Sequence, residues 1–188
     1  MPRGRSAVAT AAVAAGIALA APGCGGSDGT VTGPAPAARD RMQLTSPAFI
    51  DGGSIPPRFT CNGSGVSPPL DWRGTPDGAR SLALLVEDAD ASGGTFVHWT
   101  VWDLAPKVRG VLSGSVPAGA REGENSAGDK AYAAPCPPKG DAAHHYRFSV
   151  YALREPLGLD QGAPAQDVRD AIAQQAIARG RLTGRFER

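Results

Sequence analysis

Residues Ser81–Leu104, SLALLVEDADASGGTFVHWTVWDL, decide how the chain is read. Ser81 to Val86 is almost continuously apolar, the pattern of a strand covered on both faces. An acidic loop with two glycines follows, and a second strand opens at its far side with a histidine. Strict alternation puts Val97, Trp99 and Val101 on one face of that strand and His98, Thr100 and Trp102 on the other. A strand interior has no use for Asp88, Asp90 or His98, whereas a binding site at a strand end does. A carboxylate beside an imidazole favours its protonated form and orients the ring by accepting from one nitrogen.

Later segments supply partners for this loop. His144–Leu153, HHYRFSVYAL, is the clearest strand, with His144, Tyr146, Phe148, Val150 and Ala152 on one face and His145 turned away from His144. Just before it, Cys136-Pro137-Pro138-Lys139-Gly140 is a loop stiffened by its prolines. Backbone N–H groups around Gly140 are suited to an anion nest. Two imidazoles, a carboxylate and this loop converge on a small polar pocket, where imidazoles donate to an anion and do so more strongly when charged. Each residue also has a plainer reading: Asp88 as a turn former, His98 as a satisfied core histidine, Tyr146 as a packing ring, Asp90 as a brace for its own loop. Trp72, Trp99 and Trp102 read as core or rim.

Working outward, Met42–Phe49 is a short strand candidate interrupted by Pro47, and Val66–Trp72 is extended with Leu70 and Trp72 on one face. Lys107–Lys130 is loop-like and glycine-rich, the kind of long segment that is often functional. The one good helix is predicted over Asp167–Arg179, capped by Asp167 and stopped by Gly180, with Arg181–Arg188 a final short strand or tail. Short apolar runs, many prolines and glycines, and a single helix indicate a mostly β fold.

The N-terminus is of another kind. Arg3 and Arg5 precede an uncharged Ala/Val/Ile/Leu run from Ala7 to Ala21. At roughly 15 residues it fits the hydrophobic region of a signal peptide and is short for a membrane span. The run ends Leu19-Ala20-Ala21-Pro22-Gly23-Cys24, which resembles a bacterial lipobox. Residues 1–24 are therefore expected to be a signal peptide with Cys24 lipidated, anchoring an exported protein at the outer face of a membrane. The alternative is a secreted or periplasmic protein. Residues 25–40, rich in Gly, Pro and Ala, read as a flexible tether, leaving residues 41–188 as one domain. In an oxidising compartment Cys61 and Cys136 pair naturally as a disulfide, the alternative being two buried free thiols. The formal net charge is +1, and the basic residues form no stripe in the sequence, which removes the electrostatic footprint of a nucleic-acid binder.

Taken together and in order, VSPPLDW (66–72), EDADAS (87–92), VHWTVWDL (97–104), CPPKGDAAHHYRFSVYAL (136–153) and the weaker LTGRF resemble the phosphatidylethanolamine-binding protein family. The likeness is nearest to its bacterial Raf-kinase-inhibitor-like (YbhB/YbcL) branch and runs from about Met42 to Arg188. The resemblance implies a two-sheet antiparallel β-sandwich-like core with peripheral helices, and a pocket for phosphate-bearing headgroups and similar anions. It implies pocket roles for Asp88, His98, Pro137, Gly140, His144 and Tyr146, with Asp90 and Phe96 as secondary candidates. Ala89 stands where the family has proline, Ser92 where a second proline is common, and His145 where arginine follows the second histidine. Ala131–Ala134 replaces a glycine-rich run and predicts a narrower pocket floor.

The functional expectation is a membrane-tethered binding protein for a small anionic or phospholipid-headgroup ligand. It has no catalytic residues, no metal, no cofactor and no nucleic-acid partner. A competing reading is an inhibitor or signalling partner of an envelope or extracellular protein, such as a protease. A metal-dependent hydrolase is a further one: Asp, His and His can ligate zinc, but helical HExxH spacing and a nucleophile elbow are both missing from the sequence.

Overall fold

The computed structural model describes residue 1 and residues 29–188. The expected export signal, Cys24 and the first residues of the tether lie outside the described residues. Among the described residues the strands are β1 (Gln43–Thr45), β2 (Leu70–Arg73), β3 (Ser81–Asp88), β4 (Phe96–Leu104), β5 (Gly110–Val111), β6 (Arg121–Glu122), β7 (His144–Leu153) and β8 (Ala176–Phe186), with one α-helix, α1 (Ala165–Gln175), and a short 3-10 helix at Pro57–Phe59. They form a three-stranded sheet, β1-β2-β5, and a five-stranded sheet, β6-β4-β3-β7-β8, with antiparallel pairing throughout.

The two sheets face each other across a core that includes Leu44, Leu70 and Trp72 on one side and Val86, Trp99, Phe148 and Val150 on the other. The far side of the large sheet carries a second core, where Ala83, Leu85, Val97 and Tyr151 meet Val168 and Ile172 of α1. β3 lies between the two cores and is buried at every position, which is why its sequence is a continuous apolar run rather than an alternating one. Trp72, Trp99 and Trp102 are all core residues.

Three expectations are corrected. The helix stops at Gln175 rather than Arg179, because residues from Ala176 onward pair with β7 through most of its length, from Leu153↔Ala176 to His144↔Phe186. The free edge of β7 outweighs the helix propensity of AIAR. Asp167 lies in the first turn, and Pro164 occupies the cap without a side-chain bond. The 107–130 segment contains two short strands, β5 and β6.

The described part of the expected tether is docked on the domain. Val31 is buried in the second core and bridges Thr95, the carbonyl of Pro36 accepts from the Tyr151 hydroxyl, and Asp40 pairs with Arg179 of β8. Arg169 of α1 donates to the carbonyls of Thr32 (2.7 Å) and Gly33 (3.3 Å) and through Nε to Glu87 (2.8 Å). Composition alone hid this docking, since its anchors are one valine, one aspartate and backbone groups.

Candidate functional site

At one end of the large sheet, β3 finishes, β4 begins and β7 begins. Asp88, His98, His144 and Tyr146 come from those three strand ends and line one cavity of about 230 Å³. Phe96, Ala91, Ser92, Ala133, Ala134, Cys136, Pro137, Pro138 and Asp141 complete its wall.

His98 reaches the cavity through a break in register. Val86 pairs with Trp99 but Glu87 pairs with Val97, so β4 carries one extra residue at this point, and that residue is His98. Such a bulge re-aims a side chain. It also corrects the alternation read from the sequence: Trp99 enters the core between the sheets while Val97 enters the helix-side core.

The two imidazoles are oriented by different acceptors. Nδ1 of His144 donates to Asp88 Oδ2 at 2.6 Å. Nδ1 of His98 donates to the carbonyl of Ala133 at 2.7 Å, and Ala133 N–H returns a bond to the His98 carbonyl at 2.8 Å. Because both Nδ1 atoms carry the proton, each Nε2 is an acceptor when the ring is neutral and a donor only when it is charged. Burial holds His98 below the ordinary imidazole pKa, an effect partly offset by its bond to Ala133 and by the Asp88 charge.

The Tyr146 ring lies between them, 5.1 Å from the His98 ring and 6.4 Å from that of His144. Its hydroxyl is buried without a hydrogen-bond partner, and burial together with Asp88 pushes its pKa up, so it stays an O–H donor. Phe96 closes over His98 at 4.7 Å.

The stiff loop is held from both sides. Cys136 is disulfide-bonded to Cys61, Cys61 N–H donates to Pro135, and Arg188 reaches Cys136 Sγ at 3.2 Å. Pro137 lines the cavity as expected, but Gly140 does not: its N–H donates to the Arg188 carbonyl, so the expected nest there is already occupied. Asp90 also lies outside the cavity. It accepts from both the backbone N–H and Nδ1 of His145 at 2.8 Å, and although burial opposes it, these bonds hold its carboxyl below the usual range. His145 faces away from His144, as strand alternation predicts.

Asp141 was not read from the sequence. Its half-exposed carboxylate lines the cavity, with Oδ2 3.9 Å from Nε2 of His144. The signal was available: a carboxylate three residues before a pocket histidine, just after the Gly140 turn at φ 90°. Among the described residues no group of three or more His, Cys, Asp or Glu side chains is arranged to hold a metal ion.

Residues 45–187 match the family model described as phosphatidylethanolamine-binding protein. A Mycobacterium tuberculosis protein provisionally named lipoprotein LppC is 43% identical, over 97% of this chain and 96% of its own length. Two crystal structures are similar in fold. One is a phosphatidylethanolamine-binding protein homologue, CT736, from Chlamydia trachomatis, with TM-score 0.73 and 39% identity. The other is Escherichia coli YbcL, described as a member of the same family, with TM-score 0.75 and 32% identity. Each of these matches 79% of this chain and 99% of its own.

Proposed function

Because the chain belongs to the phosphatidylethanolamine-binding protein family, we propose that it binds a small phosphate-bearing or similarly anionic ligand in the cavity lined by His98, His144 and Tyr146, as a binding protein rather than an enzyme. The observation that carries this reading is the Tyr146 hydroxyl, a buried donor with no protein partner between two imidazoles. An unpartnered buried hydroxyl costs about 1–3 kcal/mol, which a ligand oxygen would recover on binding.

The Tyr146 hydroxyl donates to a ligand oxygen at any pH near neutral. Protonation of either imidazole then turns its Nε2 from acceptor to donor, so uptake of a phosphate dianion is coupled to uptake of protons. Asp88 supports this by accepting from Nδ1 of His144, which fixes the orientation of the ring and leaves Nε2 as its free nitrogen. Asp141 opposes a bare anion and narrows what the mouth admits. Lipidation of Cys24, for which the provisional name of the Mycobacterium relative speaks, would place the domain on the outer face of a membrane.

Calorimetric titration of phosphate and phosphoethanolamine into the parent and into His144→Ala tests the reading. We expect the variant to lose most of the affinity. Equal affinity in both proteins overturns the site.

A further inference from the structure

The docked leader changes where the cavity can be. If residues 25–40 hung free, Cys24 would be joined to the domain at Arg41 by 17 residues, a reach of up to about 60 Å. The first firmly held residue is instead Val31, whose N–H donates to the Thr95 carbonyl at 2.9 Å and whose side chain is 6% exposed. Cys24 to Val31 is seven residues, at most about 25 Å.

The point of attachment is the back of the pocket's own rim. Ala91 and Ser92 line the cavity, and the next residues of the same loop hold the leader: Thr30 Oγ1 donates to the Gly93 carbonyl at 3.3 Å, and Thr95 receives Val31. A Cβ on Gly94 would sit 3.2 Å from Thr30 Oγ1, so leader and rim are in contact here. From Val31 the leader runs away from the pocket, past Arg169 and Tyr151, to Arg179. Its upstream end is therefore the pocket end of the molecule. The opposite end of the sheet lies one length of β7 away, ten residues or about 30 Å.

We propose that residues 31–40 are a strap that keeps the cavity's mouth at the headgroup layer of the membrane in which Cys24 is anchored, so that the pocket takes its ligand from that layer. The proposal rests on the lipidation of Cys24. The match to the Mycobacterium relative covers 97% of the chain and so takes in residues 31–40. The CT736 and YbcL chains are covered to 99% while leaving about a fifth of this chain unmatched, and the family match begins only at Thr45. The strap is thus an addition to the common fold. With the domain pivoting about Val31, the rim stays within reach of the bilayer in every orientation, whereas the far end does not.

The test uses the full lipidated chain in vesicles carrying a headgroup-attached quencher. With Cys24 acylated and Cys61–Cys136 paired, a single introduced thiol takes the fluorophore: Ser92→Cys at the rim or Glu155→Cys beyond the far end of β7. We expect several-fold stronger quenching at Ser92 than at Glu155. Val31→Asp, which expels the leader from the core, should erase the difference. A Gly/Ser insertion of about 20 residues between Asp28 and Gly29 should do the same without touching the fold. Equal quenching in the parent, or a difference that survives both changes, overturns the proposal. A mass spectrum showing unmodified Cys24 overturns it together with the anchoring reading. Phosphate titration of the soluble domain tests the pocket separately.

Discussion

Replacing Arg169 with methionine tests whether the leader and the acidic strand end are held by one buried charge. Arg169 is 2% exposed, pairs with Glu87 at 2.8 Å, and donates to the Thr32 and Gly33 carbonyls. Glu87 is equally buried, and burial pushes its pKa up despite Arg169 beside it. Removing one partner of such a pair leaves a desolvated carboxylate and costs about 3–5 kcal/mol. At an m-value of about 2 kcal/mol per M, the urea midpoint falls by about 1.5–2.5 M. The sign of the pH effect follows from the raised pKa. The native state takes up a proton on Glu87 before the unfolded chain does, so the variant is less destabilised at pH 5 than at pH 8. Trypsin gives an independent reading, because loss of the carbonyl contacts frees the leader and exposes the bonds after Arg39 and Arg41. Glu87→Gln with Arg169→Met should recover most of the loss. A single variant within about 0.3 M of the parent, or one equally destabilised at both pH values, refutes the reasoning.

Tyr146→Phe removes the orphaned hydroxyl. The free protein should be as stable as the parent or up to about 1 kcal/mol more so, while phosphate affinity falls, measured by urea melts and calorimetry. Phosphate affinity in the parent should rise on acidification as Nε2 of His98 becomes a donor, and burial places that rise below the ordinary imidazole range. In His98→Gln this part of the pH dependence should vanish. Opening the Cys61–Cys136 disulfide, with its sequence separation of 75, by Cys61→Ser and Cys136→Ser should cost roughly 4 kcal/mol on the chain-entropy model. It should also weaken phosphate binding, because Cys136 lines the cavity.

β3 and β7 were legible because each carries its pattern in its own residues: a continuous apolar run in one, and in the other an alternation that burial follows over the first four residues before both faces are covered. The convergence of Asp88, His98, His144 and Tyr146 was legible only as a set of motifs in order. What joins them is long-range pairing, such as Asp88↔Tyr146 and Asp88↔Phe96, which no local pattern encodes. The bulge at His98 was invisible for the same reason, since a register slip belongs to two strands at once. β8 was half hidden because AIARG is a reasonable helix end until the open edge of β7 is present. The docking of the leader was not legible because its binding partners, Thr95, Tyr151, Arg169 and Arg179, lie far away in the chain.

The departures from the family pattern acquire a physical sense in this arrangement. Ala89 and Ser92 stand where prolines would stiffen the acidic loop, yet the loop is not left unsupported. Asp88 Oδ1 accepts from Asp90 N–H at 2.9 Å, Asp90 binds His145 through two contacts at 2.8 Å, and the leader bonds the loop at Gly93 and Thr95. His145 is the residue that takes up Asp90. Fixed backbone angles are thus exchanged for a polar brace, and a polar brace titrates. Asp90 is held below the usual carboxylate pKa, so its support is present above that range and is lost as pH falls through the lowered value. Binding should therefore weaken at strongly acidic pH as the loop lets go, and in Asp90→Asn, whose brace is uncharged at every pH, affinity should already be reduced near neutral pH and that acid loss should be absent. An acid limit unchanged in Asp90→Asn would show that the brace has no part in shaping the pocket.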